Sequence, residues 1–558
     1  MKARWILEAA GVDLLLMVPC FLPLILPFNI SLYHHRLPLT HILLGLLLDL
    51  CAVLVVASVA LALLSRLPPL SHRIVGACLA GLVLWRAVVI TQTAFHLWHS
   101  NLNANSQQAE HISGVYEALS RDWSHSKLLL AIAAVLLLAS LAWLRPRFSE
   151  FLVRVTRFGL AAFAFSGLWI VPKLVYLAFV RPPSVAAERV SAPPHTASSG
   201  RIVWMLFDEL SFNLVFDHPP SGLSFPNFEG LRAESTSFDD LGPAGFYTDR
   251  VVPSVLAGFK IDRIASTSNG GLLYLDSARH RWMAYDPRAT LLGLAQAEGW
   301  NPGVAGWYIP YCRTFATVLS TCTWSPGIQA DVTLEGWGAS ESKSTFANAM
   351  VAAHAFLAHF SKNRRSARTK TLAENIEDYR NVTAAAEKLI HNEDIRFVFL
   401  HLPVPHPPGI YNRRTHELTE GGNYLDNLAL ADDTLGLLLQ TINATASADR
   451  TTVIVTSDHS WRVPLWRSSP DWSSEEERVS GGRFDPRPVL LIHFPGQNNE
   501  REVMRPLPEL MEYDIVAAML RRGLNSASDL CALVACDAPA GRQAKSGAPE
   551  PSQSPPLQ

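Results

Sequence analysis

A run of apolar segments fills the first 180 residues, and no other feature of the chain limits its fold so strongly. Five can be counted, at about Leu14 to Leu32, Ile42 to Leu64, Ile74 to Phe95, Leu128 to Leu144 and Phe158 to Val180. Most approach the roughly 20 residues a helix needs to cross a bilayer core. The first carries Pro19, Pro23 and Pro27, and no small-residue cleavage pattern follows it, so it does not read as a cleaved signal peptide. Lys2 and Arg4 precede the first segment, Arg66 and Arg73 separate the second from the third, and Arg145, Arg147, Arg154 and Arg157 separate the fourth from the fifth. The alternate loops are poorer in Lys and Arg, which places the N-terminus in the cytoplasm. An odd number of spans then puts everything after Val180 on the periplasmic or extracellular side of a cytoplasmic (inner) membrane. Asp49 and Arg86 lie inside expected spans, roughly 12 and 15 Å from their outer ends at 1.5 Å per residue. Similar depth favours a structural ion pair over a transport role, because one pair does not make a relay.

The apolar excess ends with these segments, although the whole chain has 49% hydrophobic residues. Arg181 to Gly200 is rich in Pro, Ala and Ser and reads as a linker. Asp537 to Gln558 has little to bury and reads as a disordered tail. The expected division is therefore a membrane domain over 1–180, a linker over 181–200, a soluble domain over 201–536 and a tail over 537–558. A net charge of -2 gives no support to nucleic-acid binding. Cys20, Cys51 and Cys78 sit in apolar runs, where cysteine behaves as a small hydrophobe. Cys312 with Cys322 and Cys531 with Cys536 form two local pairs without a CxxC pattern, which suits disulfides in an oxidising compartment or else unpaired buried thiols.

Within 201–536, strand-like and helix-like patterns alternate. Strands are expected at Ile202 to Phe207, Val304 to Trp307, Arg396 to Leu400, Thr452 to Val455 and Val489 to Ile492; helices at Thr290 to Glu298, Lys343 to Ser361, Thr371 to His391 and Tyr424 to Ile442. Continuous apolar strands separated by helices predict an α/β fold with a mostly parallel sheet covered on both faces. Ligands of such sheets bind beyond the carboxyl ends of the strands.

Four strand ends or nearby loops carry reactive side chains. TTVIVTSDHSWR ends in Asp458 and His459, both of them zinc-ligand types, although a strand leaving the core through polar residues looks the same. IVWMLFDELSFN runs into Asp208 and Glu209, two carboxylates that repel until a cation neutralises them, or a plain solvated turn. In GFYTDRVVPSVLAGF, Thr248 is either an N-cap, which the segment alone favours, or a nucleophile if a metal lowers its pKa. FVFLHLPVPHPPGIYNRR ends its strand at His401 and holds His406 between prolines, which suits a substrate-orienting or acid/base group as well as an incidental loop histidine.

In order and spacing, LFDE, T-x-x-x-x-P-S-x-x-x-G, the H-x-P type loop with Tyr411, and TSDH resemble the alkaline phosphatase and sulfatase superfamily. With apolar spans in front, the chain looks most like the membrane-anchored branch of lipid A phosphoethanolamine transferases, phosphoglycerol transferases and lipoteichoic acid synthases. The resemblance implies Asp458, His459 and either Asp208 or Glu209 as metal ligands, Thr248 as nucleophile and His406 beside the substrate. Arg250, Arg462 and His401 are then expected to bind substrate. It also implies one divalent ion, zinc by the mixed O and N ligands, with manganese, magnesium or calcium as alternatives. The donor would be a membrane lipid, the acceptor an envelope glycan or lipid, and the enzyme a monomer. Two departures narrow this. Where sulfatases carry the Cys or Ser that becomes formylglycine, Val251-Val252-Pro253-Ser254-Val255 lacks both that residue and the following arginine, so sulfate-ester hydrolysis by that route is not expected. SWRVPLWRSSPDW has no further histidine, so a complete second metal site is not expected either. The competing readings are a hydrolase of sulfuric or other esters on the same fold, a catalytically silent envelope binding or scaffold protein, and, third, a transporter.

Overall fold

A computed structural model describes residues 2–25, 39–66, 146–179 and 200–536, except 267–270, 277–278, 326, 328–363, 468, 470 and 522, together with isolated positions at 33, 68, 74, 76, 80, 81 and 83. The expected Asp49–Arg86 pair, the linker over 181–199, the tail over 537–558 and the helix expected at Lys343 to Ser361 fall wholly or in part outside these residues. So do the fourth expected span and most of the third.

Helices at the start of the chain run over Lys2–Ile25, Leu39–Leu64, Pro146–Ala164 and Gly167–Phe179. Two stretches among the described residues, Leu44–Leu64 and Glu150–Tyr176, are long and apolar enough to cross a membrane. Polarity is inverted relative to a soluble bundle. Val55, Val56, Phe158, Leu168 and Trp169 face outward, while the buried Glu8 carboxylate accepts two hydrogen bonds at 3.0 Å from Arg157 Nε. At Gly11 the helix Lys2–Ile25 meets the backbone of Leu160 so closely that no side chain fits between them.

The rest is α/β. Eight strands form the main sheet: β1 (Arg201–Phe207), β2 (Thr236–Phe238), β3 (Pro302–Trp307), β4 (Thr321–Ser325), β5 (Phe397–Leu402), β6 (Thr451–Thr456), β7 (Leu490–His493) and β8 (Arg501–Val503). Their spatial order is β8-β2-β7-β6-β1-β5-β3-β4. From β6 to β4 all neighbours are parallel, whereas β7 runs antiparallel to both β6 and β2. The parallel core follows from β1, RIVWMLF, which is buried along its whole length. Successive side chains of a strand point to opposite faces. Ile202, Trp204 and Leu206 accordingly enter one apolar core, and Val203, Met205 and Phe207 enter the other. In the first core the Trp204 ring meets Phe399 edge-on, with centroids 5.1 Å apart. Such two-sided burial calls for cover on both faces, which the helical crossovers between parallel strands supply.

The consequence for the site is one of register. β1 lies between β6 and β5, with Leu206 opposite Thr456 and Phe207 opposite Leu402. The residues that follow these three strands therefore emerge side by side at one edge. Cys312–Cys322 and Cys531–Cys536 are both joined as disulfides.

Candidate active site

Asp208 follows β1, and Asp458 and His459 follow β6. One ligand atom from each of the three lies within 4.8 Å of the others, and all three residues are buried. Among the described residues Asp208 Oδ1 has no hydrogen-bond partner, and Asp458 Oδ2 faces only the His459 ring at its Nε2. His459 Nδ1 lies 3.1 Å from the Ser460 carbonyl oxygen, to which it donates, leaving an Nε2 lone pair 3.0 Å from Asp458 Oδ2. This is the arrangement in which a metal-ligating histidine is held by a backbone carbonyl through its other nitrogen. Carboxylate oxygens and an imidazole lone pair gathered away from water repel until a cation is shared among them. Burial lowers the His459 pKa, but the Asp458 carboxylate beside it raises it further, above the usual imidazole value. Burial pushes Asp458 up, yet His459 outweighs it and holds the acid well below the usual carboxylate range. The orphaned oxygens and the mixed O and N donors fit a divalent ion.

Thr248 completes the set. It opens the helix Thr248–Ala257 as its first helical residue; the N-cap is Tyr247, which makes no side-chain cap. The capping role that the segment alone favours is therefore not the one the fold gives it. Thr248 Oγ1 instead lies 3.2 Å from His459 Nε2 and 3.5 Å from Asp208 Oδ2. The helix ends at Gly258, with φ 76°, where a Cβ would meet the Tyr513 ring.

Glu209 has a different task from its neighbour. Its backbone is left-handed, with φ 66°, and its carboxylate is taken up by Arg462 and Trp466. Arg462 Nε donates to Glu209 Oε1 at 2.6 Å, Arg462 Nη2 donates to the same oxygen, and Trp466 Nε1 donates to Oε2 at 2.8 Å. Asp208, Glu209 and His406 also bring ligand atoms within 4.8 Å of one another. In that cluster, however, the guanidinium already neutralises Glu209. Asp208, rather than Glu209, is the acid that joins Asp458 and His459.

Both Asp208 and Thr248 reach a cavity of ≈ 400 Å³, walled by Tyr247, Trp307, Tyr308 and Trp466 and also lined by Asp249, Asp471, His406 and Arg462. His406 Nε2 lies 3.2 Å from Arg462 Nη2 and accepts its hydrogen bond, so Nδ1 carries the proton and donates to the Pro407 carbonyl. The loop around His406 is clamped by Asn427, whose Nδ2 donates to the His406 carbonyl at 2.9 Å and whose Oδ1 accepts from the Ile410 amide at 2.8 Å. The sequence reading misses Asn427 as the residue that holds this loop, though a polar side chain on the apolar face of the helix Tyr424–Asn443 signals it.

Two expected substrate contacts take other positions. Arg250 follows Thr248 by two residues, about 200° around a helix. It stacks 4.7 Å from the Tyr247 ring centroid and does not line the cavity. His401 is fully buried behind Asp208: Tyr311 Oη donates to His401 Nδ1 at 2.8 Å, and His401 Nε2 donates to Asp208 Oδ2 at 3.2 Å. Its position in β5 explains this, because Phe397 and Phe399, of the same parity, also face the buried core.

A model of the sulfatase family matches residues 201–479, half of the 558 residues, and the chain belongs to that family, whose members hydrolyse or transfer ester groups. Among solved structures the chain is similar to the lipoteichoic acid synthase LtaP from Listeria monocytogenes, with 14% identity, 59% of this chain and 73% of that one covered, and a TM-score of 0.36. It is also similar to the phosphonate monoester hydrolase of Agrobacterium radiobacter, with 13% identity, 58% and 74% covered, and a TM-score of 0.35. No curated protein matches the chain significantly.

Proposed function

We propose that the chain is a membrane-anchored transferase that moves phosphoethanolamine from a lipid donor to a glycan or lipid of the cell envelope, with residues 1–180 as anchor, 181–200 as linker, 201–536 as catalytic domain and 537–558 as tail. The observation that carries this reading is the Thr248 hydroxyl, set at the edge of the cavity against Asp208 and His459. An unassisted hydroxyl is a poor nucleophile at neutral pH. A divalent ion, zinc by its ligand types, held by Asp208, Asp458 and His459, would lower the pKa of that hydroxyl and withdraw charge from phosphoryl oxygens.

Thr248 Oγ1 attacks phosphorus, its bond to phosphorus forms, and the phosphorus–oxygen bond to the diacylglycerol breaks. The departing oxygen leaves with a proton, and a phosphothreonine ester remains. Arg462, buried and fixed by Glu209, directs positive charge at the phosphoryl oxygens without having to reorganise. In the second step the acceptor hydroxyl oxygen attacks phosphorus, the Thr248 Oγ1–phosphorus bond breaks and the hydroxyl proton passes to Thr248 Oγ1, while His406, whose Nε2 accepts from Arg462, holds that guanidinium in place. Aromatic walls joined by the carboxylates of Asp249 and Asp471 favour an ammonium headgroup over neutral glycerol. Asp249, whose Oδ1 lies 4.0 Å from Arg250 Nε, adds a carboxylate to this wall that a bound ammonium can meet. Val251 is buried in the core, which leaves no formylglycine position there to serve a sulfatase.

Full-length protein incubated with headgroup-labelled phosphatidylethanolamine tests this. Wild type should release labelled headgroup, and Thr248→Ala should abolish turnover with the thermal melt unchanged. Full activity of that variant would refute the mechanism.

A further inference from the structure

One residue of the N-terminal part is buried inside the catalytic domain. Tyr33 lies between the helices Lys2–Ile25 and Leu39–Leu64, yet it is fully buried in the same apolar core as Tyr285, Tyr311 and Phe315. Its main-chain oxygen accepts a hydrogen bond from the Arg313 guanidinium, and its hydroxyl accepts one from Thr314 Oγ1 at 3.4 Å. Both donors belong to the helical turn Tyr311–Thr314. The Cys312–Cys322 disulfide fastens that turn to β4, and the Arg313 guanidinium lies 5.6 Å from the Trp324 ring centroid on the same strand. A receiving site on the catalytic domain is thus built around Tyr33.

The turn also begins the hydrogen-bond chain behind the nucleophile, from Tyr311 Oη to His401 Nδ1 and from His401 Nε2 to Asp208. All three side chains are fully buried, so water cannot substitute for a lost link.

We propose that Tyr33 docks the membrane part onto the catalytic domain and acts as a positioning residue for Asp208, through Tyr311 and His401. This rests on Asp208 as a metal ligand, but the docking itself does not. Emptying the Tyr33 site leaves a cavity behind the turn, into which its side chains relax. The donor to His401 then shifts, and Asp208 loses the hydrogen bond that sets its orientation. Outer partners of this kind are typically worth about 10- to 100-fold in metal affinity. The contact also requires position 33 and the catalytic domain to share one side of the membrane, as the arginine pattern implies.

Two measurements on the full-length chain in detergent test the proposal. In the first, Tyr33 is replaced by p-azidophenylalanine, close to tyrosine in size, and irradiated. A cross-link to a peptide within residues 311–324 is expected; cross-links found only elsewhere overturn the docking. In the second, Zn²⁺ affinity is titrated by calorimetry. Tyr33→Ala and Tyr311→Phe should weaken it about 10- to 100-fold, whereas Tyr33→Phe, which keeps the ring and the main-chain oxygen, should restore it. Tyr33→Leu replaces the alanine variant if that one loses its cooperative melt. Wild-type Zn²⁺ affinity in the folded Ala or Leu variant overturns the positioning role. Affinities in the expected order, in a protein that transfers no headgroup, support this proposal while refuting the proposed reaction.

Discussion

A metal and a proton compete for His459 Nε2 beside Asp458. Because His459 is raised above the usual imidazole value, binding a metal must displace that proton. Zn²⁺ affinity should therefore fall as pH is lowered, with proton release visible as a calorimetric heat that depends on the buffer; a pH-independent affinity would contradict the assignment. Behind the same strand end, burial raises the Glu512 carboxyl from its ordinary 4.5 to about 8, the hydrogen bond from Thr456 acting in the opposite direction. A pKa raised by folding contributes stability that is complete below the unfolded value and is lost as pH rises through the folded one. Thermal stability should accordingly decline between pH 4.5 and about 8. Glu512→Gln, which keeps an acceptor for Thr456 Oγ1 and removes the charge that helps burial raise Glu509, should lessen that decline. Asp208, Thr248, Asp458, His459 and His406 were legible because each follows a recognisable apolar run or sits in a proline-rich loop. The tasks of Arg250, His401 and Glu209 were not, because strand parity, helix rotation and one left-handed residue decide where side chains point.

At the scale of elements, two-sided burial of β1 is what places Asp208 between β6 and β5. Trp204 is fully buried, so Trp204→Ala should cost about 3–5 kcal/mol in chemical denaturation, the range for emptying a large core site. A loss below about 1 kcal/mol would mean that the sheet tolerates a void at its centre. The long apolar strands could be read directly from their runs of Val, Ile, Leu and Phe. The strands β2 and β8 span only three residues each, too few for a period to show, and β4 alternates Thr, Cys and Trp with no apolar run. Nor does any local pattern encode that β7 runs antiparallel to β6. The connection over 457–489 is long enough for either direction, so the residues within the strands do not decide it.

For the whole molecule, an outward apolar surface on the N-terminal helices and a cavity lined by aromatic rings and carboxylates support the proposed reading of an enzyme held beside a lipid substrate. Tethering raises the local concentration of the catalytic domain against a donor confined to the same membrane. In the sequence this division rests on the apolar segments and the linker composition, and the linker itself lies outside the described residues. Entry of Tyr33 into the catalytic core could not be read there, because a single tyrosine between two apolar segments has no pattern of its own. The central claim is that Thr248 carries the transferred group, and trapping that ester tests it most directly. Wild-type protein is incubated with headgroup-labelled phosphatidylethanolamine without acceptor, acid-quenched and digested, and the peptides are sequenced by mass spectrometry. The account predicts phosphoethanolamine on Thr248, and none on any residue of Thr248→Ala. Turnover of the lipid with the label on another residue, or with Thr248 never modified, would contradict it.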